Sequence, residues 1–231
     1  MEFARQPLRG EVSAEATALL QGTQVIVCMA DPLTLGAFSL LPPISEGLIG
    51  AYTTETEVVE ITKSCCPDLL FVTEDLEEGC GISLVRKTKL ACPDTICLVF
   101  LRTETKSMVH HCIAAGAEGA MFVSSLGGRG DGDFMGALRK TLHGGIYYPR
   151  DVLQAADFAN NPQHLLPSDL TKKESEVLSC LASGSTNKEI AERLFVSVET
   201  VKSHVSAVIG KLGVRNRQAA AVVAIQAGVA M

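Results

Sequence analysis

No stretch of the 231-residue chain reads as a membrane span. The longest uncharged apolar tract, AAAVVAIQAGVAM at the C-terminal end, contains a Gln and falls short of the ~20 apolar residues that a bilayer requires. The opening MEFARQPLRGEVSAEATALLQG carries two Arg and three Glu and lacks the apolar core of about 7–15 residues that marks a secretory signal. A cytoplasmic protein is expected. No cysteine is spaced CxxC, and none is accompanied by a His pair at zinc-ligand distance, which argues against a metal site. No Ser-His-Asp, paired-carboxylate or metal constellation stands out either, so an enzyme is the weakest class and no cofactor is expected.

What the chain does contain is apolar material. Hydrophobic residues make up 47% and charged residues 20%, enough for a packed core and incompatible with global disorder or with collagen-like, coiled-coil or mucin-like chains. The length suits two small domains. Of the eight Cys, Cys28 in QVIVCMA, Cys97 in TICLVF and Cys180 in VLSCLA lie inside apolar runs and read as small buried hydrophobes. The formal charge of −6 looks wrong for a nucleic-acid binder until it is divided. From Asp169 onward there are eight basic and six acidic residues, and the preceding part carries 12 and 20, a charge of −8. Positive charge therefore gathers at the C-terminal end, between Ser197 and Arg217 above all.

The runs 23–30, 67–72, 95–101 and 119–123 are short, apolar and β-branched, and read as buried strands. Segments of helical spacing alternate with them at 54–65, 81–92, 105–116 and 133–145. That alternation predicts βαβ crossovers and a parallel sheet covered on both faces. The periodicity fades after Tyr147-Tyr148-Pro149, so residues 1–22 read as an extension, 23–149 as an α/β domain, 150–168 as a linker and 169–231 as an all-α module. VSAEATALL in the extension has helical character and is expected to pack on the α/β domain or on a dimer mate.

The C-terminal signals are the most specific. Thr171 followed by Glu174 forms a capping box, Asn187 is expected to cap a second helix and Ser197 a third that Gly213 ends, and a fourth runs from about 216 to 228. Two short helices joined by a tight turn, the second presenting Thr, Lys, Ser and His, form a helix-turn-helix arrangement. The segment LTKKESEVLSCLASGSTNKEIAERLFVSVETVKSHVSAVIGKLGVRNRQAAA closely resembles the DNA-binding domain of LuxR/NarL-type transcriptional regulators. It keeps the E-x-x-V-L opening, G-x-[ST]-N-K-E-I-A, L-x-[VI]-S-x-x-T-V-K-x-H and K-L-G-V. The resemblance implies a recognition helix over 198–212, with Lys202, Ser203 and Ser206 facing base edges and Lys202 best suited to guanine acceptors. It assigns Asn187, Lys188, Thr200, His204 and Lys211 to phosphate contacts, and Ala220, Val223, Ala224 and Ala227 to a dimerisation stripe on the last helix. Double-stranded DNA and a second copy of the chain are the expected partners, with a regulatory protein or RNA polymerase as further ones.

A receiver domain usually precedes such a module, and residues 23–150 resemble one in Asp31-Pro32-Leu33, PDLLFV with Gly81 downstream, CPDTICLVFL and AAGAEGAMFV. The resemblance implies a flavodoxin-like five-stranded parallel sheet. Anchored on those landmarks, Met29 and Ala30 stand where the Mg²⁺-binding acidic pair belongs, with Asp31 one position late. Thr73 replaces the phosphoacceptor, Leu101 the switch Thr/Ser, and Val123 the Lys. Without a metal to offset phosphoryl charge, aspartyl-phosphate chemistry has no electrophilic clamp. A pseudo-receiver is expected, with residual phosphorylation through Asp75, or an adaptor role for the acidic domain, as the alternatives. The family's contact face, about 105–143, carries His110, His111 and Cys112. The vicinal Cys65-Cys66 pair, with Cys80 near the same rim, could form a redox switch. The Gly-rich SLGGRGDGD (125–133) has no GK[ST] and is a poor phosphate cradle.

Overall fold

Where every second side chain of a strand must find a different apolar layer, the strand reads as a continuous apolar run. In the computed structural model, which describes residues 10–125, 132–148, 152, 166–167, 169–214, 216–227 and 229, four such runs are strands: β1 (Val25–Cys28), β3 (Leu69–Thr73), β4 (Ile96–Leu101) and β5 (Gly119–Phe122). With β2 (Leu48–Tyr52) they form a five-stranded sheet among the described residues, parallel throughout, in the order β2-β1-β3-β4-β5. Residues Ile26, Cys28, Leu70, Val72, Val99 and Phe122 face one layer, and Val25, Val27, Leu69, Phe71, Leu98 and Met121 the other.

The first layer is covered by α4 (Glu55–Thr62), α5 (Gly81–Ala91) and α6 (Lys106–Ala115). The second is covered by α1 (Gly10–Leu20), α2 (Pro32–Ser39), α3 (Pro42–Ser45) and α7 (Gly132–Leu142). Helix α1 contains the VSAEATALL segment and lies on α3 and α7, burying Ala16 and Leu20, with Arg139 Nε donating to Glu15 Oε1 at 2.5 Å. A cluster of Phe38, Phe71, Phe100 and Phe134 fills the centre of this layer, with ring centroids 5.1–6.4 Å apart. Gly81, at the start of α5, lets the helix approach the strand before it, since a Cβ there would lie 1.9 Å from the Thr73 carbonyl oxygen.

Strand β2 has no counterpart among the runs read from the sequence. It is half-buried at the sheet edge, and the Tyr52 ring lies over Gly50, filling the place where a side chain would sit. Most of the expected linker (150–168) and of SLGGRGDGD lies outside the described residues.

The C-terminal module contains α8 (Lys172–Ala182), α9 (Asn187–Leu194), α10 (Val198–Leu212) and α11 (Arg217–Gln226) around a core with Val177, Leu181, Ile190, Val201, Val205 and Val208. Thr171 and Glu174 form the capping box at α8, and Ser197 caps α10. The cap of α9 is Thr186, whose side chain bonds the Glu189 amide while Glu189 returns the bond, so Asn187 is the first helical residue rather than the cap. Lys211 braces the module by donating to Glu174 Oε2 at 2.7 Å and to the Asp169 carbonyl at 2.8 Å. That ammonium, with the Thr171 amide, holds the Glu174 carboxyl down at about 2. Because the folded value lies below the ordinary 4.5, the stabilisation is present above pH 4.5 and is lost as pH falls from there toward 2. Lys211→Met is therefore expected to move the acid unfolding of the helical module to higher pH, as followed by far-UV circular dichroism. An unchanged acid midpoint would show that Glu174 gains nothing from the brace.

Candidate nucleic-acid interface

Helix α10 divides its surface cleanly. Val201, Val205 and Val208 are buried at i, i+4 and i+7, which turns the other face outward with Lys202, Ser203 and Ser206 exposed. The Ser197 side chain accepts from the Thr200 amide at 3.1 Å and pairs with the Thr200 hydroxyl at 2.8 Å, so Thr200 is held at the helix N-terminus. Lys202 donates to Glu199 at 2.9 Å and Ser203 to the Glu199 carbonyl at 3.1 Å. Both partners of the Lys202 pair are well exposed, so the pair is worth little and is readily exchanged for another acceptor. His204 is half-buried.

Lys188 is exposed on the first turn of α9, where a helix N-terminus favours anions. Asn187 accepts from Arg217 Nη1 at 2.8 Å, and Arg217 Nη2 donates to the Ser185 carbonyl at 2.6 Å, so the base of α9 is tied to α11. Ala220 and Ala224 are fully buried in the module's own core, whereas Val223 and Ala227 are only half-buried.

The turn between α9 and α10 contains the one non-glycine among the described residues with positive φ, Phe195, at φ 54 and ψ 46. Phe195 is 95% exposed, so among the described residues no side-chain packing offsets a conformation that costs an L-residue about 1–2 kcal/mol. Phe195→Gly is expected to raise stability by about 0.5–1 kcal/mol in urea unfolding. A loss of stability would mean that the ring packs on something in the folded chain.

The profile described as bacterial regulatory proteins of the luxR family matches residues 168–224. The transcriptional regulatory protein LiaR of Bacillus subtilis is 30% identical over 195 residues, covering 82% of this chain and 89% of that protein. The DNA-binding transcriptional activator DevR/DosR of Mycobacterium tuberculosis is 31% identical over 182 residues, covering 78% and 82%. The chain belongs to the LuxR/NarL-type transcriptional regulators. Its fold is that of the RcsB response regulator of Salmonella typhimurium, with 21% identity, a TM-score of 0.50 and coverage of 86% of this chain and 96% of that one. A structure of an RcsB–DNA complex gives a TM-score of 0.51 at 21% identity, covering 89% and 98%.

In this LuxR/NarL-type regulator, of the residues expected at the phosphorylation pocket, Met29, Ala30, Asp31 and Thr73 come together while Leu101 and Val123 lie outside the cleft, and Thr73, Asp31 and Glu74 are each hydrogen-bonded within the chain. Met29, Ala30, Asp31, Thr73, Glu74, Asp75 and Arg102 line one small cleft at the C-terminal end of the sheet. Thr73 Oγ1 accepts from the Ala30 amide at 3.3 Å and donates to the Asp75 carbonyl at 2.7 Å. Asp31 caps α2, accepting from the Thr34 amide at 2.7 Å and hydroxyl at 2.5 Å, and Thr34 holds its carboxyl below the ordinary range. Glu74 is buried and accepts from the Thr103 amide and hydroxyl. Leu101 is fully buried in the core and Val123 is exposed. Among the described residues no cluster of three His, Cys, Asp or Glu side chains could hold a metal ion.

Part of the expected contact face of the α/β domain is packed against α11. Val222 and Ile225 of α11 pack against the layer to which α6 contributes Val109 and Cys112; His110 is half-buried and His111 exposed. A polar junction flanks this contact. Glu118, just before β5, accepts from Lys89 Nζ at 2.5 Å, from the Cys97 amide at 2.8 Å and from Gln218 Nε2 of α11 at 3.0 Å. Burial pushes the Glu118 carboxyl above its ordinary value against the pull of Lys89. Lys140 of α7 adds a second bridge, to Glu189 of α9 at 2.9 Å. Lys89, Glu118, Arg217 and Gln218 were not singled out in the sequence. The single signal was a lone Glu inside the otherwise uncharged AAGAEGAMFV.

Cysteine placement also departs from expectation. Cys66 is disulfide-bonded to Cys92, while Cys65 and Cys80 are free. Cys80 precedes α5 and Cys92 follows it, so eleven helical residues, about 16 Å at 1.5 Å each, hold the two at opposite poles of the sheet. Cys80 therefore does not share a rim with Cys66.

Proposed function

We propose that the chain is a sequence-specific regulator that binds a two-fold-related DNA site as a homodimer in the cytoplasm, catalyses no reaction, and uses its α/β domain as a pseudo-receiver without aspartyl phosphorylation. The observation that carries the DNA reading is the outward face of α10, where Lys202, Ser203 and Ser206 are exposed over a buried valine stripe. In that reading Lys202, Ser203 and Ser206 contact bases, whereas Thr200, His204 and Lys188 position the helix on phosphates. Asn187 and Lys211 contribute by fixing the helices. The dimeric reading draws on RcsB, described as two dimers bound to two parallel DNAs.

Non-phosphorylated operation is supported by the occupied cleft. The Thr73 hydroxyl stands where an acceptor carboxylate would be required, and Asp31 and Glu74 are bonded to Thr34 and Thr103 instead of facing a cation. Binding of the full chain to a randomised duplex pool tests both halves. Enrichment of one site is expected, with affinity unchanged by acetyl phosphate and Mg²⁺ and no phosphoryl adduct by mass. A phosphate-dependent gain in affinity would overturn the pseudo-receiver, and failure to enrich any site would favour an adaptor that docks a regulatory protein or RNA polymerase.

A further inference from the structure

The pole of the sheet opposite the occupied cleft is where the DNA-binding module meets the α/β domain, and it is also where Cys66 and Cys92 meet. Their Cα atoms are 5.5 Å apart, well within reach of a disulfide. Cys66 is exposed in the turn before β3, and Cys92 is buried at the end of α5. The two turns they join are also paired by Thr95 Oγ1 donating to the Pro67 carbonyl at 2.6 Å, so the connection survives without the disulfide but loses its covalent member. Lys89, three residues before Cys92, donates to the Pro93 carbonyl at 3.2 Å and the Thr95 carbonyl at 2.5 Å. The same ammonium donates to Glu118, which accepts from Gln218. Gly116 also lets the two domains approach there, since a Cβ on it would lie 3.3 Å from Asn216 Nδ2 and 3.4 Å from Lys89 Cγ.

We propose that Cys66 and Cys92 are a reversible thiol–disulfide couple that sets how firmly α11 is held against the α/β domain, acting through Lys89, Glu118 and Gln218. The bond ties down the 92–95 turn whose carbonyls orient Lys89. In a reducing compartment such a disulfide is a transient, signal-bearing state. The reagent class is a low-molecular-weight thiol and its disulfide. A thiolate attacks the exposed Cys66 Sγ, the Sγ–Sγ bond breaks, and Cys92 leaves as a thiolate that takes up a proton, with the Thr62 carbonyl 3.6 Å away to accept the new S–H. A second thiolate then attacks the sulfur of the first small thiol, forming the small disulfide, and Cys66 leaves as a thiolate that takes up a proton. The products are two protein thiols and one small disulfide, a transfer of two electrons, and a small-molecule disulfide runs the sequence backwards. Because the outward face of α10 is open while α11 is covered, the couple bears on pairing through α11 rather than on base contact.

The inference rests on the DNA-binding reading, and full-length protein in reduced and oxidised glutathione tests it with one readout that needs no DNA. Oxidation is expected to remove two hydrogens by mass, mapped to Cys66 and Cys92 by differential alkylation. Amide exchange in α11 should then slow at least about threefold, and affinity for a two-half-site duplex should fall by a comparable factor. The Cys66→Ser/Cys92→Ser protein should behave as reduced in both buffers, and Cys65→Ser should keep the full response. Lys89→Met should form the disulfide yet lose the α11 response. Absence of the Cys66–Cys92 bond in the oxidised buffer, equal α11 exchange in both states, or equal duplex affinity despite altered exchange would each overturn it. A chain that enriches no duplex at all would remove the DNA reading, with mass and exchange still deciding the couple.

Discussion

Lys202→Ala is expected to weaken binding to the enriched duplex by about 1–3 kcal/mol and to relax preference at one base position. The ammonium is exposed on the α10 face and paired with Glu199, a partner it can leave at small cost. Guanine O6 and N7 offer two acceptors in the major groove, and a cation that reaches them gains most of its discrimination from that geometry. Ser203 and Ser206 are short, so little else on this face compensates. Repeating the duplex selection with the variant separates the outcomes. Weaker binding with a broadened position supports base readout, uniformly weaker binding at all sites would demote Lys202 to a phosphate contact, and an unchanged footprint would remove the recognition-helix assignment.

The largest effect on stability is expected at Phe71. The ring is fully buried in β3 and meets Phe38, Phe100 and Phe134 at 5.1, 6.1 and 5.7 Å between centroids. Phe71→Ala removes one of four mutually touching rings from the middle of a close-packed layer, at a cost of about 3–5 kcal/mol. Urea unfolding should show the loss in the α/β domain, while the capping boxes at Thr171 and Thr186 keep the helical module folded. A cost below about 1 kcal/mol would mean that the layer collapses around the missing ring.

The parts of this molecule that were legible in the sequence are those governed by local rules. β1, β3, β4 and β5 are buried on both faces and so appear as unbroken apolar runs, and the caps at Thr171 and Ser197 are set by residues three positions apart. The outward residues of α10 follow from helical periodicity and the TVKSH motif. Strand β2 was hidden because, as a half-buried edge strand with Gly50 at its centre, it lacks the continuous apolar burial of the others. The junction of Lys89, Glu118 and Gln218 and the Cys66–Cys92 bond connect residues from 26 to 100 positions apart, and nothing in their immediate neighbours announces such a meeting. Vicinal spacing drew attention to Cys65, whereas the sheet decides that Cys66 finds Cys92.

On the pseudo-receiver reading, the hydrogen bonds at this cleft also bear on how easily an acidic phosphoacceptor site could be built here. Thr73→Asp would exchange a hydroxyl that donates to the Asp75 carbonyl for a carboxylate that cannot, setting acceptor against acceptor. Turning Asp31 toward a cation would uncap α2, and freeing Glu74 would abandon the Thr103 amide. Each step back is opposed by a bond that now serves the fold. On the pseudo-receiver reading, such bonds form a one-way barrier in sequence space, since rebuilding an acidic phosphoacceptor site would break several of them at once.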